Sequence, residues 1–185
     1  NNPGNWSTWP LNGQDININP SFYTGSAQHP VISANSVFSP AAILITNNAN
    51  LTVNANLTTQ DDVEVIGSST NVLITGGVFS INPNDGGRFI LDNANLTIQG
   101  GTLEVDERFI ATTNSLTIIN GGSLISHERF IVELGATITQ NSGQVVIDQV
   151  FAIGDGSPEQ SSRYILNGGN LSCWGEFSLE NEVGD

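Results

Sequence analysis

Arg88-Phe89-Ile90, Arg108-Phe109-Ile110 and Arg129-Phe130-Ile131 are three copies of one phrase, followed by Val150-Phe151-Ala152, with the phenylalanines 20, 21 and 21 residues apart. Between them other phrases return. Asn95-Leu96-Thr97-Ile98 with Gly100-Gly101-Thr102-Leu103 is echoed by Ser115-Leu116-Thr117-Ile118 with Gly121-Gly122-Ser123-Leu124. Each repeat therefore holds three short apolar strands separated by Gly or Asn turns, a period typical of stacked repeat architectures. Within a strand the alternation has period two: Leu96 and Ile98 flank Thr97, and Leu103 and Val105 flank Glu104. One side is apolar and the other polar, and no segment sustains a helical period.

Read backwards, Asn50-Leu51-Thr52-Val53 and Asn71-Val72-Leu73-Ile74 match the Leu-Thr-Ile strand, which places Leu44 and Val65 in the Phe column. Read forwards, Arg163-Tyr164-Ile165-Leu166 leads to Glu176-Phe177-Ser178-Leu179, with the longer step absorbed by a loop from Gly154 to Ser162 that contains Pro158. Strands of three to five residues cannot bury an apolar face alone, whereas stacked repeats give a continuous core. The expectation is an all-β, single-stranded parallel β-solenoid (a right-handed β-helix) of about six to seven coils over residues 38–185. An antiparallel sandwich also has many short strands, but it does not require residue types to recur in columns. Residues 1–37 show no repeat and hold Trp6, Trp9 and four prolines, so they are expected to cap the first coil.

The composition narrows function. Eighteen Asp and Glu stand against four Arg and no Lys, a formal net charge of −14, which excludes nucleic acid as a partner because a phosphate backbone needs clustered cations. Cys173 has no second cysteine to pair with, and no His/Cys cluster has zinc-ligand spacing, so neither a metal nor a cofactor is expected. No apolar run reaches the roughly 18 residues of a membrane span, and Asn1-Asn2-Pro3-Gly4 lacks the pattern of a signal peptide, so the chain reads as processed or excised. Abundant Asn, Thr, Ser and Gly with no Lys suggest an extracellular address.

The Gly-Gly-Xaa-Leu turns, the Asn-Leu-Thr-Ile strands and Tyr164-Ile165-Leu166-Asn167-Gly168-Gly169-Asn170-Leu171 resemble the repeats of secreted bacterial parallel β-helix surface proteins, including autotransporter-passenger-like ones. The stretch Asn5-Trp6-Ser7-Thr8-Trp9, with Pro30-Val31-Ile32 and Ala42-Ile43-Leu44-Ile45, is similar to the start of surface proteins of the Bacteroidetes type. The resemblance implies an architecture and a cell-surface location, in families that are mostly adhesins, matrix components and carriers of other modules. Right-handedness is likewise implied by it.

The carboxylates are the residues that could carry acid–base chemistry. Asp61-Asp62-Val63-Glu64 is superficially similar to the paired aspartates of polygalacturonase-like hydrolases, but the accompanying Gly-His-Gly and Arg-Ile-Lys phrases are missing, and a solvated corner is the favoured reading. Asp106, Glu107, His127, Glu128, Asp148 and Gln149 recur just before the Phe column. They offer either a calcium-assisted lyase site or, as favoured here, neutralisation of the stacked Arg88, Arg108 and Arg129. No catalytic residue is expected. With Phe inward, Ile90, Ile110 and Ile131 face outward beside the arginines, either as a contact strip for another protomer or an acidic glycan or as a strip covered by the Gly154–Ser162 loop or the N-terminal segment. Thr52, Thr97 and Thr117 read as one outward column interrupted by Leu73 and Ile138, which argues against an ice-binding face. The Asn-Xaa-Ser/Thr phrases at Asn5, Asn50, Asn56, Asn95 and Asn170 follow from repeat composition.

These readings favour a non-enzymatic extracellular structural protein, an adhesin, matrix component or fibre subunit, that self-associates head-to-tail through its ends, with Phe177 and Leu179 opening an uncapped last coil. The alternative is a carbohydrate-binding or carbohydrate-active β-helix module that meets extracellular polysaccharide through Trp6, Trp9, Trp174 or the Arg ladder.

Overall fold

A computed structural model describes residues 13–19, 30–33, 39–82, 86–154 and 161–180. They form three parallel sheets and no helix, stacked as a β-solenoid. The chain passes from one sheet to the next and returns one rung higher. Sheet A comprises β1 (Ile16–Ile18), β3 (Ile43–Ile45), β6 (Val63–Ile66), β9 (Arg88–Asp92), β12 (Arg108–Thr112), β15 (Arg129–Val132), β18 (Val150–Gly154) and β21 (Glu176–Glu180). Sheet B stacks β2 (Val31–Ile32), β4 (Asn50–Val53), β7 (Asn71–Ile74), β10 (Asn95–Ile98), β13 (Leu116–Ile119), β16 (Thr137–Gln140) and β19 (Arg163–Leu166). Sheet C stacks β5 (Leu57–Thr59), β8 (Val78–Ile81), β11 (Thr102–Val105), β14 (Ser123–Ser126), β17 (Gln144–Ile147) and β20 (Asn170–Cys173).

The alternation seen in the sequence sets which side chains line the bore. Phe89, Phe109, Phe130 and Phe151 point inward on sheet A and are fully buried or nearly so. Their rings form a continuous stack: Phe109 and Phe130 lie face to face 4.7 Å apart with their planes 20° from parallel, while Phe130 and Phe151 meet edge to face at 5.3 Å. Such pairs contribute about 0.5–1.5 kcal/mol each beyond the area they bury. Leu51, Val72 and Leu96 on sheet B and Leu57, Phe79, Leu103, Leu124 and Val145 on sheet C complete the same core.

Each corner has its own turn chemistry. Leaving sheet A, Thr46-Asn47-Asn48-Ala49 and Thr112-Thr113-Asn114-Ser115 place two consecutive residues at positive φ and close a hydrogen bond between the first carbonyl and the fourth N–H. That is the geometry of a tight primed turn, which Asn tolerates best. Between sheets B and C the column Gly77, Gly101, Gly122, Gly143 and Gly169 sits at φ +67 to +86°. A Cβ on Gly122 would lie 2.3 Å from the Gly101 carbonyl oxygen, so successive coils can approach only as glycine backbones. Outside, amide ladders run up two corners: Asn71 Nδ2 donates to Asn50 Oδ1 and Asn95 Nδ2 to Asn71 Oδ1, while Asn141 donates to Asn120 and Asn167 to Asn141.

Two registers differ from the sequence reading. The Phe column continues back through Val63 and Ile43, not through Val65 and Leu44; Val65 lies under Leu91, and Leu44 pairs with Glu64 on the outer face. Ile43-Leu44-Ile45 and Val63-Glu64-Val65 each offer two inward positions, and the longer stretch between β8 and β9 shifts the count by two. Thr117 is also misplaced, because it pairs with Leu96 and points into the core, leaving Leu116 outside. The turn at Thr113 and Asn114 is one residue longer than that at Asn93, and Ser115 takes the small buried position held one rung below by Ala94. The outward column is instead Thr52, Leu73, Thr97, Ile118, Thr139 and Ile165.

Within residues 1–37 the described parts include β1 and β2, which extend sheets A and B by parallel pairing with β3 and β4. Trp6 and Trp9 lie outside the described residues.

Candidate functional site

The last coil is built from the same residue types as the others but is not covered like them. β19, β20 and β21 are the final strands of their sheets. Leu166, Phe177 and Leu179 occupy core columns above Gln140, Phe151 and Ile153, yet they are 51, 55 and 71% exposed, against 1% for Phe151. Phe177 still packs on Phe151 with ring centroids 5.1 Å apart. Trp174, which stands one rung above Asp148, is 78% exposed. Among the described residues, the result is an apolar cross-section framed by three strand edges with no further described strand beside them.

Two polar side chains that the sequence reading passed over fasten this coil from within. Gln140 is fully buried in a core column, and its Nε2 donates to the carbonyls of Gly143 at 3.2 Å and Asn170 at 3.0 Å. Its Oε1 accepts from the Tyr164 hydroxyl, whose pKa burial pushes up. The interruption of an apolar column by Gln was the available signal. A buried amide needs several partners, and it finds two of them in the last coil.

The Arg column is real and lies on the outer face: Arg88, Arg108 and Arg129 stack in register, and Ile90, Ile110 and Ile131 stack half-buried beside them. Their neutralisation is uneven. Asp62 accepts three hydrogen bonds from Arg88, its Oδ1 from the backbone N–H at 2.8 Å and its Oδ2 from Nε at 3.0 Å and from Nη2. Asp62 thus occupies the rung below Arg88 as its counter-ion, a partner the sequence reading had assigned to a separate carboxylate pair. Arg108 Nε lies 2.8 Å from Glu107 Oε1, an ion-pair distance without hydrogen-bond alignment, and Arg129 Nε is buried with no hydrogen-bond partner.

Around the corner from this column, His127 stands between two carboxylates of different rungs. Its Nδ1 is 2.7 Å from Asp148 Oδ2 above and its Nε2 is 3.1 Å from Glu104 Oε1 below. Partial burial draws the imidazole pKa down, but the hydrogen bonds to Asp148 and Glu104 and their charges outweigh it, and the net shift is upward. The carboxylates face opposite edges of the ring and so do not converge on one point. No cluster of three or more metal-ligating side chains occurs among the described residues.

Among the described residues no helix is long and apolar enough to cross a membrane. Comparison with known proteins gives no family model, no curated sequence and no solved structure that matches this chain.

Proposed function

We propose that this protein is a non-enzymatic extracellular structural element, a rigid solenoid of the adhesin, matrix or fibre-subunit kind, which assembles head-to-tail through its last coil. The observation that carries the reading is the exposure of Leu166, Phe177 and Leu179 in columns that are sealed in the coils beneath. Three strand edges with no further strand beside them among the described residues surround them, and unpaired edges are templates for addition of further strands. The three sheets run in different directions around the bore, and all their ladders are parallel. A copy stacked by translation along the axis keeps strand direction in all three sheets, and a step of eight rungs sets β21 against β1 of the next copy, while sheets B and C, with seven and six described strands, meet at wider spacing. A two-fold tail-to-tail contact would reverse strand direction, whereas every described ladder is parallel. Translation does not close, so the product is a filament.

Electron microscopy of the protein as isolated tests this. The expected result is filaments with an axial repeat of about 38 Å, the height of an eight-stranded sheet at about 4.8 Å per strand. Phe177→Glu combined with Leu179→Glu is expected to abolish them while leaving the stacked phenylalanines below intact. Monodisperse short rods of the unaltered protein would overturn the assembly.

A further inference from the structure

We infer that His127 is a proton-operated clamp that fastens three successive coils, tight when the imidazole is doubly protonated and loosened as the pH rises. The argument starts from geometry. Ionised carboxylates accept hydrogen bonds only, and a neutral imidazole has one N–H. Both ring nitrogens of His127 lie within hydrogen-bond distance of a carboxylate oxygen, so only the imidazolium can donate to both. In the neutral ring one bare nitrogen lone pair would point at a carboxylate, and one of the two links would turn repulsive.

The surroundings reinforce the preference. His127 follows β14; from the rung below it is approached by Glu104 on β11 and from the rung above by Asp148 after β17, while in the corner below it Asp106 accepts from the Gly86 N–H and Glu107 faces Arg108. On its own strand connection stand Glu128 and then Arg129, the latter heading the next strand on sheet A, with Arg108 below it. Carboxylates outnumber the two guanidiniums, and one of these already has Glu107 as its counter-ion. The clamp is neither redundant with the ladders nor part of them. The backbone bonds His127 N–H to Val105 and Asp148 N–H to Ser126 hold irrespective of charge, so protonation tunes coil-to-coil cohesion on a scaffold that is already folded.

The sign follows from the raised folded-state value. A histidine with a pKa above its ordinary 6.5 contributes stability that is fully present below pH 6.5 and is lost as the pH climbs through the folded-state value. The link reaches from β11 to the corner after β17, directly beneath Trp174 and the exposed coil, so alkaline conditions slacken the stack next to that coil.

The test is nitrogen-resolved NMR of the histidine ring in the full chain, with His29→Gln used to identify the signals of His127. At pH 6 both ring nitrogens are expected to carry protons, with a titration midpoint above 6.5 that falls in Glu104→Gln and falls again in Asp148→Asn. Thermal unfolding of the parent chain is expected to drop further between pH 6 and pH 9 than that of His127→Gln. A single neutral tautomer at pH 6, a midpoint that ignores both carboxylate substitutions, or identical pH profiles for the parent and His127→Gln would each overturn the clamp.

Discussion

Phe130 and Phe177 belong to one column, head equivalent strands and touch the same neighbour, Phe151, yet one is sealed and the other is more than half open to solvent. Nothing in the two residues explains the contrast. Phe130 has rungs on both sides, whereas β21 ends its sheet. In a solenoid, burial is therefore conferred by the next coil, and stability is a sum of interfaces between neighbours. The middle coils show what an interface contributes, and the last coil shows what a missing one leaves behind.

The strongest way to break this comparison is to truncate the same ring in both places. Phe109→Ala, between the stacked rings of Phe89 and Phe130, is expected to cost about 3–5 kcal/mol in denaturant unfolding. Phe177→Ala in the unassembled protein should cost only about 1 kcal/mol, because half of its transfer free energy is never gained. Equal losses would mean that the last coil is as well covered as the others.

A smaller effect comes from the glycine corner. Gly122→Ala forces a side chain into positive φ and against the Gly101 carbonyl, with a further coil stacked above, and is expected to cost about 2–3 kcal/mol by thermal denaturation. Gly169→Ala meets the Gly143 carbonyl at 2.4 Å but sits in the last coil of its sheet among the described residues, so its backbone can yield and the loss should be smaller.

The smallest predicted change reverses sign between the regions. Thr117 buries a hydroxyl without a partner, so Thr117→Val should stabilise by about 1 kcal/mol in denaturant titration. Two rungs up the same column, Tyr164 donates to Gln140, and Tyr164→Phe should destabilise by a similar amount because it orphans a buried carbonyl.

The sequence made the fold readable wherever a large residue could face only one way. Phe89, Phe109 and Phe130 between Arg and Ile determine the inward face, and the repeated Gly-Gly turns determine the corner. Register became ambiguous where strands offered interchangeable residues, as at Leu44 and Val65, and where one extra turn residue let Ser115 replace Ala94. A slip of one residue exchanges the faces of a whole strand, so Thr117 was assigned to water while it lies in the core. The candidate site was legible in part. The outward Arg and Ile columns were inferred from alternation, and the open coil from where Phe177 and Leu179 fall. The pairing of Asp62 with Arg88 joins residues 26 apart across one of the longer steps between rungs, and the His127 contacts depend on which rung lies above which, so neither follows from local pattern.

The near-constant spacing between rungs has a kinetic consequence. Phe109 and Phe130 are 21 residues apart and Phe130 and Phe151 again 21, so adding each coil closes a loop of nearly the same length at nearly the same entropic cost. Folding of such a chain is a nucleation event followed by equal steps of growth, and lengthening it would add steps without making any one of them slower. The same staircase descended in reverse means that a rung with a neighbour on one side only is held by one interface instead of two, so fraying begins at such a rung and travels inward one coil at a time.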